Sequence, residues 1–250
     1  MSNLVDQWLR CFHPRPTARV RLVCLPHASG NALFYRDWGA LLPDGVETWA
    51  VQYPGRLDRL SEPCVTDMDE LADRVTEALL PLTRNTGVAL FGHSMGAAVA
   101  YEVTRRLEHR RGLAVRHLFV SAHPSPARHH GGDLHLGSDD ALWDELRRQD
   151  ATSAETLDHP QLRSLIMPAL RGDYQLIETW RPAPAPPLSC PVTALGGHDD
   201  PDVDPADLAD WARFTTGRYR QLVRPGGHFY LVDELDAVVS ALELGLGVSG

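Results

Sequence analysis

Lysine is absent from this chain. All 24 basic residues among its 250 are arginines, a pattern that a codon bias explains and that rules out a catalytic lysine. Cysteine is scarce: Cys11, Cys24, Cys64 and Cys190 show no Cys-x-x-Cys spacing, and two of them sit in apolar runs. Reduced core thiols fit this better than a disulfide framework or a zinc site. Positive charge is also in short supply. The formal net charge of −9 repels polyanions, and no basic stretch with interleaved aromatics suggests a nucleic-acid groove. The opening segment, MSNLVDQWLRCFHPRP, carries Asp6 and Arg10 and no long apolar stretch. It reads as neither signal peptide nor membrane anchor. The expectation is a cytosolic protein with no nucleic-acid or membrane partner.

What is present is a core. Hydrophobic residues make up 43% of the chain, enough for one large α/β domain or two small ones. There is no internal repeat. Short aliphatic runs at 19–26, 46–54, 87–91 and 115–122 read as strands, with RVRLVCLP stopped by Pro26. Helical spacing separates them: ALFYRDWGALL, then 67–82 with Thr66 or Asp67 as cap, then SMGAAVAYEVTRRLEHR. Alternation of this kind predicts a mostly parallel sheet covered on both faces. The rhythm stops over 124–180, where only helical patterns occur, and RPAPAPPLS follows as a stiff connector. Strands resume at 190–197 and around 218–227, with a capped helix between them at DPADLADWARFT and a last helix through LVDELDAVVSALEL. The expected organisation is a single domain, residues 1–250, interrupted by a helical insertion. Insertions of that length in compact domains tend to be functional, as lids or binding caps.

Gly92-His93-Ser94-Met95-Gly96 stands where the strand at 87–91 becomes a helix. A Gly-x-Ser-x-Gly turn in that context is a nucleophile elbow. The turn strains the serine backbone, brings the positions two residues either side too close for side chains, and raises the hydroxyl above the sheet edge. A plain Gly-Ser turn into a helix, without chemistry, is the alternative. A serine hydroxyl needs a base, and the base an orienting carboxylate. In chain order Ser, acid, His, the candidates are the acidic loop of VTALGGHDDPDVDP and His228 of PGGHFY. Asp200 is the preferred acid because Pro201 stiffens the loop after it; Asp199 and Asp202 remain substitutes. Asp204 reads as a helix cap.

Other histidines compete with His228. His93 lies inside the elbow but should point away from the reacting face of Ser94. His129, His130 and His135 sit in a Gly-rich loop, without HExxH or other metal-ligand spacing. The oxyanion formed on attack needs preorganised donors, each worth on the order of 10²–10³ in rate. Met95 N–H supplies one, and Ala28 N–H of LPHASGN is best placed for the other, with His27 flanking the hole.

Taken together, PHASGN, YPGRLDRLSEP, FGHSMGAAVAYE, LRGDYQLIETW, GGHDDPDV and PGGHFYL resemble the type II thioesterases of polyketide and nonribosomal peptide synthesis. The match runs in order from about residue 20 to 235. YPGR and the DY-containing helix have no role in a generic hydrolase elbow, which makes the resemblance specific. It implies an α/β-hydrolase fold with a helical lid insertion at 124–187. It also implies Ser94 as nucleophile, His228 as base, Asp200 as orienting acid, and Ala28 and Met95 at the oxyanion hole. No cofactor or metal is implied. The implied partner is an acyl-phosphopantetheinyl carrier protein of a polyketide or nonribosomal peptide synthase, and the implied activity is hydrolytic editing of its stalled acyl groups. The family's HAGG loop reads His27-Ala28-Ser29-Gly30 here; a backbone donor tolerates that change.

Three readings compete: a small-molecule carboxylesterase, a product-releasing or cyclising thioesterase, and a non-catalytic binding protein on the same scaffold. Trp143, Leu170, Tyr174 and Trp180 are candidates to line an acyl chamber, with packing inside the lid as the alternative. Arg15, Arg19 and Arg21, or Arg56 and Arg59, are candidates for a carrier-docking patch on an otherwise acidic protein.

Overall fold

The computed structural model describes residues 2–149 and 160–248. A seven-stranded sheet runs through it: β1 (Leu9–Arg10), β2 (Val20–Leu25), β3 (Val46–Val51), β4 (Gly87–His93), β5 (Val115–Ser121), β6 (Val192–Gly197) and β7 (Tyr219–Arg224). Their spatial order is β1-β3-β2-β4-β5-β6-β7. Every pairing is parallel except β1 on β3.

The strands are apolar on both sides because both sides are covered. In β2, Val23 and Leu25 join one core while Leu22 and Cys24 join the other. In β4, Val88 and Leu90 alternate in the same way with Ala89 and Phe91, as the period-2 pleat requires. The first face is packed by α3 (Met68–Leu79) and α4 (Met95–Arg105); the second by α9 (Leu235–Leu246), through Val238, Leu242 and Leu246. Asp67 caps α3 by accepting the Glu70 N–H. The chain leaves β2 for β3 on one side and returns to β4 on the other. The loops after β2 and β4 therefore meet at the carboxyl edge, at a topological switch point where α/β sheets bind ligands.

The N-terminal α1 (Ser2–Trp8) and β1 are elements that the sequence pattern does not predict. The helix expected at ALFYRDWGALL is instead a 3₁₀ turn, Ala32–Tyr35, followed by α2 (Trp38–Leu41). The turn is capped by Asn31, and Tyr35 and Trp38 both point inward, rings edge to face at 4.9 Å. The helix at 205–214 likewise splits into α7 (Pro205–Ala209) and a 3₁₀ turn, with Asp204 capping it through Ala206 N–H. The last helix breaks at Glu234 into α8 (Tyr230–Asp233) and α9, where Arg224 Nε donates to the Glu234 carboxylate at 2.7 Å.

Between β5 and β6 lie α5 (Asp139–Arg148) and α6 (Pro160–Thr179); residues 150–159 of the expected insertion fall outside the described set. Leu142, Trp143, Leu146, Met167 and Leu170 form a small core of their own, while Leu176 and Trp180 reach the main one.

Candidate active site

Ser94 sits at the junction of β4 and α4 with φ 54° and ψ −125°, a conformation that L residues with a side chain rarely hold. The glycines make it reachable. A Cβ on Gly92 would stand 2.0 Å from the Gly96 carbonyl oxygen, and one on Gly96 2.1 Å from that of Leu25. Ser94 N–H donates to Ser121 O at 2.8 Å, tying the bend to β5. The serine is the N-terminal flank of α4, yet its hydroxyl makes no capping bond. Met95 N–H, in the first turn of α4, carries the positive end of the helix dipole.

The loops after β6 and β7 are zipped together. His198 N–H donates to Arg224 O at 2.7 Å and Asp199 N–H to Gly226 O at 3.0 Å. Gly197 allows this, since a Cβ there would lie 2.2 Å from Gly227 O. His228 Nδ1 consequently lies 2.9 Å from Asp200 Oδ2, with the two side chains 4% and 0% exposed. A carboxylate accepts, so Nδ1 donates the hydrogen of this contact, and Nε2 is the ring nitrogen left over. That Nε2 is buried without a hydrogen-bond partner. The other acids are engaged elsewhere: Asp199 with His198, Asp202 with Arg148 and Gln149. Asp202 N–H donates to Asp200 Oδ1 at 2.9 Å, holding the second oxygen of that carboxylate.

Ala28, Ser94, Met95 and His228 line one cavity of about 280 Å³, with Tyr174 and Ile177 of α6 on its wall. The four candidate groups, from the three turns that follow β2, β4 and β7, are thus gathered at one place. Further histidines crowd the floor. His27 packs edge to face on Phe34 and Phe229, and burial, then the charges of His228 and Arg56, pushes its pKa down to about 3. His93 lies beneath the elbow. Its Nδ1 is 2.9 Å from Ser121 Oγ, itself 2.8 Å from Tyr230 Oη, and burial lowers its pKa well below the usual value. His123 also lines the cavity; it donates from Nδ1 to Pro124 O at 2.8 Å, and burial lowers its pKa to about 3. These rings are neutral near pH 7, which leaves the site free of competing imidazolium charge.

Of the chamber candidates, Tyr174 alone faces this cavity; Trp143 and Leu170 pack within the small core between α5 and α6. Trp180 turns the other way and donates from Nε1 to Glu102 at 3.3 Å. The proposed docking patch at Arg56 and Arg59 is corrected outright. Arg56 is 7% and Arg59 3% exposed, and each is consumed by internal bonds, to Asp173 and Glu62. Arg15 and Arg21 are also engaged, with carbonyls of the 42–46 turn and with Glu47 and Leu82. Asp173 belongs to no catalytic motif that the sequence displays, and the unusual GDY segment is its only signal there. Its carboxylate accepts the N–H of Ser29 at 2.7 Å, immediately after Ala28.

Comparison with known proteins bears on this arrangement. A family model described as thioesterase domain matches residues 20–244. A probable cadicidin biosynthesis thioesterase of Streptomyces griseus is 44% identical over 237 residues, spanning 95% of this chain and 65% of the relative. Thioesterase PikA5 of Streptomyces venezuelae is 42% identical, spanning 91% of this chain and 81% of that protein. Among solved structures, the type II thioesterase BorB from the borrelidin biosynthetic cluster is similar at a TM-score of 0.89 and 43% identity. That match covers 96% of this chain and 98% of the other.

Proposed function

This chain belongs to the thioesterase family, in its type II branch, and from that premise we propose that it hydrolyses acyl groups from phosphopantetheine arms of carrier proteins. The setting is biosynthesis by polyketide or nonribosomal peptide synthases, and two of the similar proteins are named for the biosynthesis of cadicidin and of borrelidin. The observation that carries the mechanism is the orphaned Nε2 of His228, in one cavity with the strained Ser94 and backed by Asp200.

Ser94 Oγ attacks the thioester carbonyl as His228 Nε2 takes its proton. Negative charge gathers on the carbonyl oxygen and is met by the N–H groups of Ala28 and Met95. Asp200 holds the ring in the required tautomer and stabilises the imidazolium. Collapse expels the pantetheine sulfur, which leaves with the proton from His228, and Ser94 keeps the acyl group. Water enters, gives a proton to Nε2 and attacks the ester; the acid departs and Ser94 recovers its hydrogen. Thioester and water become carboxylic acid and thiol, so the balance needs no cofactor. Within 124–187 the described helices α5 and α6 serve as the lid, with α6 forming one wall of the acyl chamber. No helix among the described residues is long and apolar enough to cross a membrane, and a cytosolic location beside the synthase suits the reaction.

The test is a panel of carrier proteins loaded with different acyl groups, exposed to the enzyme and weighed by mass spectrometry. Unloading by the wild type and none by Ser94→Ala is the expected result, with a fluorophosphonate labelling Ser94. Rapid turnover of simple esters with loaded carriers untouched would establish a carboxylesterase instead. Cyclic products would point to a release enzyme, and an unlabelled, inert wild type to a binding protein.

A further inference from the structure

Arg56 and Asp173 stand 117 residues apart in the chain, and neither belongs to the reacting set. Both are buried all the same, at 7% and 2% exposure. Two bonds join them, Nη1 to Oδ2 at 2.7 Å and Nη2 to Oδ1 at 2.8 Å. Two ions removed from water lose more hydration than a pair of well-packed apolar side chains would. Stability alone is therefore a weak reason for such a pair.

Apart from Arg56 Nε, which donates to Pro54 O at 3.3 Å beside it in the chain, the remaining side-chain bonds of the pair go to one loop. Asp173 Oδ2 accepts the N–H of Ser29 at 2.7 Å, and Arg56 Nη1 donates to the carbonyl of Gly30 at 3.0 Å. These are the two residues directly after Ala28. Ser29 needs such a hold, because its φ of 61° lies in the left-handed region. Gly30 is pinned from the opposite side, where a Cβ would come within 2.8 Å of the His27 ring. Farther out, Gln52 Oε1 accepts Ala32 N–H at 3.2 Å and the Tyr53 hydroxyl donates to Pro26 O at 3.3 Å. The Arg56 guanidinium lies over the Tyr53 ring at 5.3 Å.

Docking of α6 alone would not call for this arrangement. The C-terminal half of α6 already reaches the main core through Leu176, and docking requires no bond to Ser29 or Gly30. Asp173 is also next to Tyr174, whose side chain is on the cavity wall. We propose that Arg56 and Asp173 are positioning residues that fix the Ala28 N–H against the forming oxyanion and couple that donor to the seat of α6. The proposal rests on the reading of Ala28 as an oxyanion donor. It also gives YPGR and GDY, the two motifs without a part in the elbow, a common purpose.

The decisive variant is Arg56→Met with Asp173→Leu. Replacing both partners by apolar groups of similar volume tends to preserve or raise stability, while the bonds to Ser29 and Gly30 disappear. Arg56→Lys is the companion, retaining the charge without the two-pronged geometry. Acyl-pantetheine thioesters serve as substrates, an alkyl boronic acid as tetrahedral mimic, and an acyl-pantetheine thioether as ground-state mimic. For the double variant kcat should fall about 10- to 100-fold, short of or near the loss of one donor. Boronate affinity should fall by a similar factor, with KM and thioether affinity within about threefold of wild type. Arg56→Lys should show the same split in weaker form.

A folded double variant with wild-type kcat and boronate affinity would overturn the proposal. So would equal losses of thioether and boronate binding, or unfolding of both variants, which would make the pair structural. The reading beneath it is checked separately in the wild type. If fluorophosphonate fails to label Ser94, that reading falls and takes the proposal with it; if labelling is normal, a negative result condemns the clamp alone.

Discussion

Asp200 Oδ2 lies 2.9 Å from His228 Nδ1, and neither side chain meets solvent to any useful extent. Asp199 and Asp202, one and two positions away, spend their carboxylates on His198 and on Arg148 with Gln149. Replacing the acid behind the base while keeping its shape reverses the preferred tautomer, at a cost of about 10⁴ in kcat in a serine protease. Asp200→Asn should therefore lower kcat for acyl-pantetheine hydrolysis by about 10³–10⁴ with the fold intact. Asp199→Asn and Asp202→Asn should stay within about tenfold of wild type, because neither touches the ring. Steady-state kinetics of the three variants decides the matter. A loss in Asp202→Asn equal to that in Asp200→Asn would reassign the acid.

The two elbow glycines make a sharper claim about stability than about rate. A methyl group on Gly92 or Gly96 would stand 2.0 or 2.1 Å from a backbone oxygen, and neither backbone can yield without unpairing β2 or α4. Gly92→Ala and Gly96→Ala should each cost upwards of about 3 kcal/mol, at the severe end for overpacking. Gly112 is the control, with φ +64° and nothing within 4 Å of an added Cβ. Its replacement by alanine carries only the left-handed penalty, about 1–2 kcal/mol. Denaturant unfolding of the three should rank them in that order.

The sheet was legible because burial on two faces leaves an unmistakable mark: VRLVCL and GVALF can scarcely be anything but central strands. The candidates Ser94 and His228 stand out for a different reason, as one sits on a turn only glycines permit and the other follows a strand in the chain order the proposed mechanism needs. Periodicity cannot report a contact between distant segments. Arg56 and Asp173 look like ordinary surface residues until the fold closes, and on that ground Arg56 passes for a docking arginine. The short β1 escaped for want of length, since two residues, Leu9 and Arg10, carry no pattern of their own. Breaks inside helices, as at Glu234, depend on a side chain from β7 that local sequence does not contain.

Buried neutral histidines give the protein an acid-sensitive stability. Burial lowers the pKa of His27 and His123 to about 3 and of His117 to about 4. In the unfolded chain each titrates near ~6.5. Below that pH the unfolded state binds protons that the folded state refuses, so their contribution is complete above ~6.5 and is lost as pH falls towards the folded values. The melting temperature should hold steady from pH 8 to 7 and drop between pH 6.5 and 4, as a scan of ~7–8 buffers would record. His117 is the one to remove, since it packs on Phe119 and bonds Thr193, apart from the cavity. His117→Gln should lose about 1–2 kcal/mol less stability than wild type between pH 7 and 5. An unchanged slope would show that the ring is already charged in the folded protein.

Helix α4 separates stability from activity along its length. Ser94 is at its start, and Glu102 lies eight residues on, roughly 12 Å away at 1.5 Å per residue. There Glu102, itself 3% exposed, accepts from Arg105 and from Arg106, each at 2.7 Å. Asp69 and Asp73 also bond Arg106, but both are exposed, and acids in water compensate a buried guanidinium poorly. Glu102→Leu leaves a buried cation short of its one buried partner. The cost should reach about 3 kcal/mol, the lower bound for breaking a buried pair, since the surface acids soften it. Because Glu102, Arg105 and Arg106 do not line the cavity, kcat at 20 °C should remain within about twofold of wild type while the variant stays folded. Thermal unfolding and initial rates on one preparation check both halves. A kcat that drops in a fully folded Glu102→Leu protein would mean that the far end of α4 helps to set the elbow after all.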